Sequence, residues 1–299
     1  MQNRTNHSYG NRVDGTGMTN SSDTGYAFWA LIILYSAARL LQVFPGPVSI
    51  SAVVALHVFP PAIFAMLHGA KYYGWRGIST FIALILVFGN IFENVGVRTG
   101  FPFGHYYFTD VMGPKLSVVP IMLGVAYVGM AYLSWMLAVL ILGDTRGPLI
   151  RRHVVILPVV AALIMAAWDF SMDPIWATIL RAWVWVHGGP YFGVPVGNFL
   201  GWYLVVYVIF QSFALYLQRW PVRTSLSLSY WRQPLAFYAV SAAGNLLVAI
   251  PRPGPLVVSD PTGTLWRVSD ITRTCTLVTI FTMGVFVLLA WVKLNDRKT

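Results

Sequence analysis

The chain has 299 residues, of which 57% are hydrophobic and 10% are charged, and its mean hydropathy is +0.65. This composition is too apolar for an ordinary soluble domain and predicts an integral membrane protein. The net charge of +10 is scattered among loops, which disfavours a nucleic-acid-binding surface, and the single cysteine, Cys275, excludes an internal disulfide and a cysteine-ligated metal.

A membrane-spanning helix needs about 20 mostly apolar residues. The chain contains eight such runs: 26–44, 48–68, 77–97, 116–142, 153–172, 198–217, 234–250 and 271–292. Residues 1–25 are expected to form a disordered polar tail, residues 26–293 a single transmembrane domain, and residues 294–299 a basic tail. In the second span, Pro60 and Pro61 predict a kink, and His57 is interpreted as a core histidine bonded to a neighbouring helix.

The segment between the fifth and sixth spans is too short to cross a membrane. Asp173 and Pro174 resemble an N-cap followed by a proline in the first helical turn. The segment Pro174–Val186 that they open is rich in tryptophan, which favours a short helix lying at the membrane interface. Asn198 most simply caps the sixth span. The predicted fold class is therefore all-α, a polytopic membrane bundle of about eight transmembrane helices plus a short interfacial helix.

The distribution of lysine and arginine predicts the orientation. With the N-terminus inside, the inner segments hold thirteen of these residues and the outer segments hold six, so both termini are expected in the cytoplasm of a multi-pass inner-membrane protein. Glu93 and Asp169 each lie sixteen residues beyond the start of a span that runs outward, which places both at a height of about 24 Å. Asp173 shares a helix face with Asp169. These three carboxyls are therefore expected to converge.

Three carboxyls in a membrane indicate acid–base chemistry. Loss of water and a like-charged neighbour favour the neutral form of a carboxyl group, and a neutral acid beside an ionised one suits general acid and base catalysis. Aromatic faces stabilise nearby cations, so protonation of an electron-rich alkene to a tertiary carbocation is expected. No phosphate, metal or serine-nucleophile motif is present, so neither cofactor nor metal is expected. The flanking aromatic residues are Phe101, Phe103, Tyr106, Tyr107, Trp168, Trp176, Trp183, Trp185, Tyr191, Phe192 and Trp202.

Structural roles are also open for these residues. The aromatic side chains are typical of an interfacial belt. Arg98 could hold Glu93 as an ion pair, and Asp173 has a sufficient role as an N-cap. His105 and His187 fall in loops, where a solvated histidine is usual. Asp169 is the acid for which the sequence offers no structural role.

Three motifs resemble a known family. They are E-x-x-G-x-x-T-G-x-P-F-G-x-Y-x-F at Glu93–Phe108, W-D-x-x-x-D-P at Trp168–Pro174, and G-x-Y-F-G-V-P-x-x-N-F-x-G-W at Gly189–Trp202. In this order and spacing they resemble the integral-membrane carotenoid biosynthesis proteins, which include the carotenoid 1,2-hydratases and bisanhydrobacterioruberin hydratase. The stretch from Glu93 to Trp202 that carries the motifs covers about a third of the chain, and the polar tail and residues 252–270 do not match the family.

The resemblance implies addition of water across the terminal C1,C2 double bond of an acyclic ψ end group, as in lycopene or γ-carotene. Under this hypothesis Asp169 donates the proton, Glu93 positions and deprotonates water, and Asp173 keeps Asp169 protonated. The expected partner is a hydrophobic polyene taken from the bilayer, with no nucleic acid, and other carotenoid-pathway enzymes are candidate partners. The residues expected to bind substrate are Phe103, His105, Tyr106, Trp168, Tyr191, Phe192, Asn198 and Trp202.

Two other functions use the same acids. In an isoprenoid cyclase an internal alkene, and not water, captures the cation, so the product is an isomer of the substrate. In a proton-coupled transporter the acids form a proton or cation site, but the inverted repeats common in transporters are at most faint here.

Overall fold

The computed structural model describes residues 21–44, 48–143, 149–222, 224, 226–251 and 253–296. Of the predicted polar tail, only its last five residues fall in this range, where they begin the first helix, and residues 297–299 of the basic tail also lie outside it. The helices are α1 Ser21–Val43, α2 Ile50–Thr99, α3 Ile121–Leu142, α4 Arg151–Pro174, α5 Val196–Arg219, α6 Leu228–Leu247, α7 Val268–Phe281 and α8 Met283–Asp296.

The described helices form an all-α polytopic bundle. Six helical segments are long and apolar enough to cross a membrane: 25–43, 52–99, 121–142, 151–179, 196–219 and 268–296. The last of these combines α7 and α8, which are separated only at Thr282. The 20-residue helix α6 is less apolar but buries one face in the bundle, including Tyr230, Phe237 and Tyr238.

Helix α2 folds back on itself at Gly74, the one residue in it with non-helical torsion angles (φ 68°, ψ 168°). A Cβ atom placed on Gly69 would lie 2.4 Å from Cδ1 of Ile78, although residues nine apart in a straight helix are separated by about 13 Å. The second and third predicted spans are therefore the two arms of a helical hairpin. The chain reverses at Gly74, and Pro60 and Pro61 keep helical torsion angles.

Helix α3 lies at the centre of the bundle and contacts α2, α4, α6 and α8. Glycines allow close approach on the α2 side, since a Cβ on Gly129 would lie 2.7 Å from Pro61, and one on Gly89 would lie 3.3 Å from Tyr127. Small residues at such interfaces are how membrane helices pack tightly. Tyr127 of α3 is therefore held directly against the second arm of α2, the one that follows Gly74.

The predicted interfacial helix Pro174–Val186 is wrong. Helix α4 continues from Pro174 into a single π-helical turn, Ile175–Ile179. Strand β4, Trp183–Trp185, follows and pairs antiparallel with β1, Tyr106–Phe108. The alternating W-V-W pattern explains the outcome, because a strand places both tryptophans on one face, where both are buried.

The other short strands lie in the loops. Strands β2, Lys115–Leu116, and β3, Val119–Pro120, form a tight hairpin, so the fourth predicted span becomes helical only at Ile121. Strands β5, Val257–Ser259, and β6, Leu265–Arg267, form a hairpin between α6 and α7. These loops cover the end of the bundle at which Glu93 and Asp173 are found.

Candidate active site

The three acids are buried at one end of the bundle and line a single cavity. Glu93 is 4% exposed, and Asp169 and Asp173 are each 1% exposed. Glu93 comes from the last two turns of α2, and the two aspartates come from the last two turns of α4. The cavity wall consists of Glu93, Phe103, Tyr106, Phe108, Leu123, Tyr127, Trp168, Asp169, Met172, Asp173, Trp183, Trp185, Asn198 and Trp202.

Both carboxylate oxygens of Glu93 accept a hydrogen bond from a tyrosine. The hydroxyl of Tyr106 donates to Oε2, and that of Tyr127 donates to Oε1. Burial, followed by the neighbouring Glu93 carboxylate, raises the pKa of the Tyr106 hydroxyl, so this group is a donor at any ordinary pH. Arg98 is exposed and bonds Ser117, so the ion pair considered for Glu93 is absent.

Asp173 also has a donor on each oxygen. Trp183 Nε1 donates to Oδ1 at 2.7 Å, and Asn198 Nδ2 donates to Oδ2. The predicted N-cap role of Asp173 is wrong, because α4 continues past it and the side chain points into the cavity instead. The predicted cap role of Asn198 is also wrong, since Pro195 is the N-cap of α5. The side-chain amide of Asn198 donates to Asp169 and Asp173 instead.

Asp169 is the acid with the fewest donors. Its hydrogen bond is a long one, 3.3 Å from Asn198 Nδ2 to Oδ2. Two donors on a carboxylate stabilise its charge, so Glu93 and Asp173 are well solvated by the protein and Asp169 is not. The arrangement suits two acceptor carboxylates and one carboxyl group that keeps its proton.

The cavity holds about 30 Å³ of free space, enough for one or two water molecules. Trp185 is 4% exposed and its indole N–H has no hydrogen-bond acceptor. The indole lies next to the Asp173 carboxylate and favours its charged form, although the N–H falls outside the geometry of a hydrogen bond. A buried donor left unpaired is costly, and a water bridging Trp185 to a carboxylate would satisfy it.

Two further cavities adjoin this one. The first shares Glu93, Phe103, Tyr127 and Trp202 with the acid cavity and is otherwise apolar. The second shares Leu123, Trp168, Met172 and Trp183. They lie on two sides of the acid cavity, and both are lined mainly by apolar residues.

Of the residues predicted to bind substrate, five line the acid cavity: Phe103, Tyr106, Trp168, Asn198 and Trp202. Three others do not. His105 is exposed and packs on His187, Tyr191 donates to the carbonyl of Phe170, and Phe192 packs on Trp266. Sequence reasoning missed Tyr127, which lies outside the three motifs and is one of two tyrosines in an apolar helix.

Comparisons with known proteins point to carotenoid biosynthesis. The family model described as carotenoid biosynthesis protein matches residues 51–257. A bisanhydrobacterioruberin hydratase from Haloarcula japonica is 32% identical over 114 residues, which cover 38% of this chain and 36% of the relative. The match thus spans about a third of that relative's length. No solved structure matches the chain. The family match covers well over half of the chain, and the chain therefore belongs to the carotenoid biosynthesis protein family.

Proposed function

We propose that this membrane protein is a carotenoid hydratase that adds water across the terminal C1,C2 double bond of an acyclic ψ end group, of the lycopene or γ-carotene type. The observation that carries the proposal is the unequal hydrogen bonding of three buried carboxyls around one cavity. Glu93 and Asp173 each accept two donors, whereas Asp169 accepts one long hydrogen bond. This difference separates an acid from its bases within one site.

The first step is proton transfer to carbon. Asp169 gives its proton to C2, the π bond supplies the electron pair for the new C–H bond, and a tertiary cation forms at C1. Ionised Asp173, one helical turn away and bridged to Asp169 by Asn198, keeps Asp169 protonated before the substrate arrives. The faces of Trp168, Trp202 and other aromatic residues of the wall stabilise the cation.

The second step is capture by water. A water held by the free N–H of Trp185 and by a carboxylate attacks C1, so the new C–O bond takes a lone pair from water. Glu93 accepts the proton released from the attacking water, and the product is a tertiary alcohol. Proton return from Glu93 to Asp169 through the cavity resets the site. No step needs a redox partner, so the protein acts as a cofactor-independent hydro-lyase.

We also propose where the enzyme lies and how it meets its substrate. The excess of lysine and arginine in alternate segments favours the inner membrane with both termini in the cytoplasm. The polyene enters from the bilayer, and other enzymes of carotenoid synthesis are the candidate partners.

The test is expression in a lycopene-producing bacterium, followed by mass analysis of the pigments. We expect a product that gains the mass of one water per modified end, with ¹⁸O from labelled water in the alcohol. A product with the mass of its substrate would instead indicate a cyclase that uses the same acid. Unchanged pigments with proton-coupled flux in sealed vesicles would indicate a transporter.

A further inference from the structure

A buried cation lies beside the acid cavity. Arg39 of α1 is 6% exposed, and within the described residues it forms no ion pair. Its hydrogen bonds to other described residues come from Nη2, one to Oδ1 of Asn245 and one of 3.4 Å to the carbonyl of Ser241. Its Nε has no acceptor. An arginine has five N–H donors and stays charged at every ordinary pH, so this group has donors to spare.

The fold makes specific room for this side chain. A Cβ atom on Gly244 of α6 would lie 1.8 Å from Nε of Arg39, so the guanidinium occupies space that the side chain of any other residue at this position would fill. Burying a cation without a carboxylate partner is strongly unfavourable. A ligand that accepts hydrogen bonds from the guanidinium would offset this cost, which packing alone does not.

Arg39 lines a cavity of about 60 Å³ with otherwise satisfied polar groups. His57 bonds the carbonyl of Val53 and the side chain of Gln42 in α1, in agreement with its interpretation as a core histidine. The hydroxyl of Tyr35 donates to Ser241 at 3.2 Å. The remaining wall is mostly apolar, and Leu123, Trp168, Met172 and Trp183 belong to the acid cavity as well.

We propose that this second cavity, the Arg39 cavity, binds a hydrogen-bond-accepting oxygen carried by the substrate near its reacting end. The preferred substrate class is then an acyclic isoprenoid chain with a hydroxyl or carbonyl group, placed so that the terminal alkene meets Asp169 while the oxygen meets Arg39. This inference rests on the proposed function, because it concerns the substrate of the same site. The carboxylate of an acyl lipid accepts the same hydrogen bonds, and the experiment distinguishes such a lipid from an oxygen-bearing isoprenoid.

The experiment uses the full-length protein in detergent, with bound lycopene quenching the fluorescence of the cavity tryptophans. Geraniol and farnesol share the (CH₃)₂C=CH terminus of the ψ end group and carry a hydroxyl at two distances from it. Each alcohol and its deoxy hydrocarbon are titrated as competitors that restore the fluorescence. Because a hydrogen bond to a charged group is worth about tenfold to hundredfold in affinity, we expect at least one alcohol to compete at about tenfold lower concentration than its hydrocarbon.

The variants test whether Arg39 causes this preference. Arg39→Met should abolish it while the hydrocarbons compete as before, and Arg39→Lys, which keeps a buried cation, should keep part of it. Arg98→Met removes an exposed arginine outside both cavities and should leave the preference unchanged. If Arg39→Met does not fold, Arg39→Lys still decides, because a lysine ammonium lacks the planar fork of N–H donors and must weaken the preference.

Two results would overturn the proposal. One is equal competition by alcohols and hydrocarbons in the wild type, and the other is a preference that Arg39→Met leaves intact. Competition by dodecanoate that depends on Arg39, with no preference among the isoprenoids, would assign the cavity to an acyl lipid and also overturn it. Binding is measured without turnover. Loss of lycopene hydration therefore contradicts the proposed function alone, and loss of the alcohol preference contradicts this inference alone.

Discussion

The indole N–H of Trp183 donates a 2.7 Å hydrogen bond to Oδ1 of Asp173. The tryptophan lies in strand β4, and the aspartate lies in helix α4, ten residues earlier in the chain. Strand β4 pairs in turn with β1, which carries Tyr106, a donor to Glu93. One small sheet therefore holds the acids from two different helices in a fixed relation to each other.

The first prediction concerns the proton donor. Asp169→Asn keeps the size of the side chain but removes the transferable proton, so hydration of lycopene should fall by about 10²-fold to 10⁴-fold. The rate is measured as product formed per folded enzyme, with folding checked by the thermal unfolding midpoint. Turnover within about tenfold of the wild type would exclude Asp169 as the donor. Asp110→Asn, on an exposed loop salt bridge with Lys115, is the matched control and should leave turnover unchanged.

A second prediction concerns the hydrogen bonds that Glu93 accepts. Tyr127→Phe removes one of the two hydroxyl donors from the carboxylate, and a hydrogen bond to a charged group is worth about 1.5–3 kcal/mol. Turnover should fall by about tenfold to hundredfold, while the affinity for lycopene changes little because the ring remains in the cavity wall.

The control is another buried tyrosine of the same helix. Tyr132 donates to Nδ1 of His68 at 2.7 Å and lies outside the acid cavity. Tyr132→Phe should lower the unfolding midpoint but spare turnover in the protein that stays folded. Equal losses of turnover in both variants would show that Tyr127 acts only through stability.

Sequence reasoning succeeded where periodicity and spacing decide the outcome. Equal distances from the starts of two spans were enough to predict that Glu93 and Asp169 lie at one depth, and the structure brings them to one cavity with Asp173. Residues that reach the site through packing were not accessible. Tyr127 reaches Glu93 because Gly89 allows α3 to approach α2, and nothing in the local pattern of either helix indicates that contact.

Local patterns also misled at two positions. Asp173 before a proline has the form of an N-cap, but α4 absorbs Pro174 by continuing into a π-helical turn. The tryptophan-rich segment after it has interfacial composition, yet Trp183 and Trp185 form a strand because β1 offers a partner edge. The second outcome depends on pairing with residues 75 to 79 positions earlier in the chain, which local propensity does not encode.

The third prediction concerns the pH dependence of the β5–β6 hairpin. Burial raises the pKa of Asp260, but hydrogen bonds from Thr262, Trp266 and Thr264 outweigh this effect and lower the pKa below its usual value. A carboxylate with a lowered folded-state pKa contributes stability above its unfolded pKa, and this contribution is lost as the pH falls through the folded value. The hairpin should therefore loosen in acid.

Hydrogen exchange of the Thr264 amide, which donates to Asp260 at 3.1 Å, measures this effect. Protection corrected for the intrinsic pH dependence of exchange should decrease below about pH 4, the usual pKa of an aspartate. In Asp260→Ala, which removes the acceptor, the same amide should be weakly protected at every pH. Protection in the wild type that stays constant from about pH 6 to about pH 2 would contradict the assignment.

The last prediction separates the two chemical steps. Trp185→Phe removes the free N–H that is proposed to hold the attacking water but leaves an aromatic face for the cation. In D₂O the wild type should form mostly deuterated alcohol. The variant should still protonate the alkene but capture the cation less often, so the cation returns to alkene by losing a proton from a neighbouring carbon. The ratio of deuterium in recovered lycopene to alcohol formed should therefore rise by about tenfold, the value of one hydrogen bond. A purely structural defect would lower exchange and hydration together and leave that ratio unchanged.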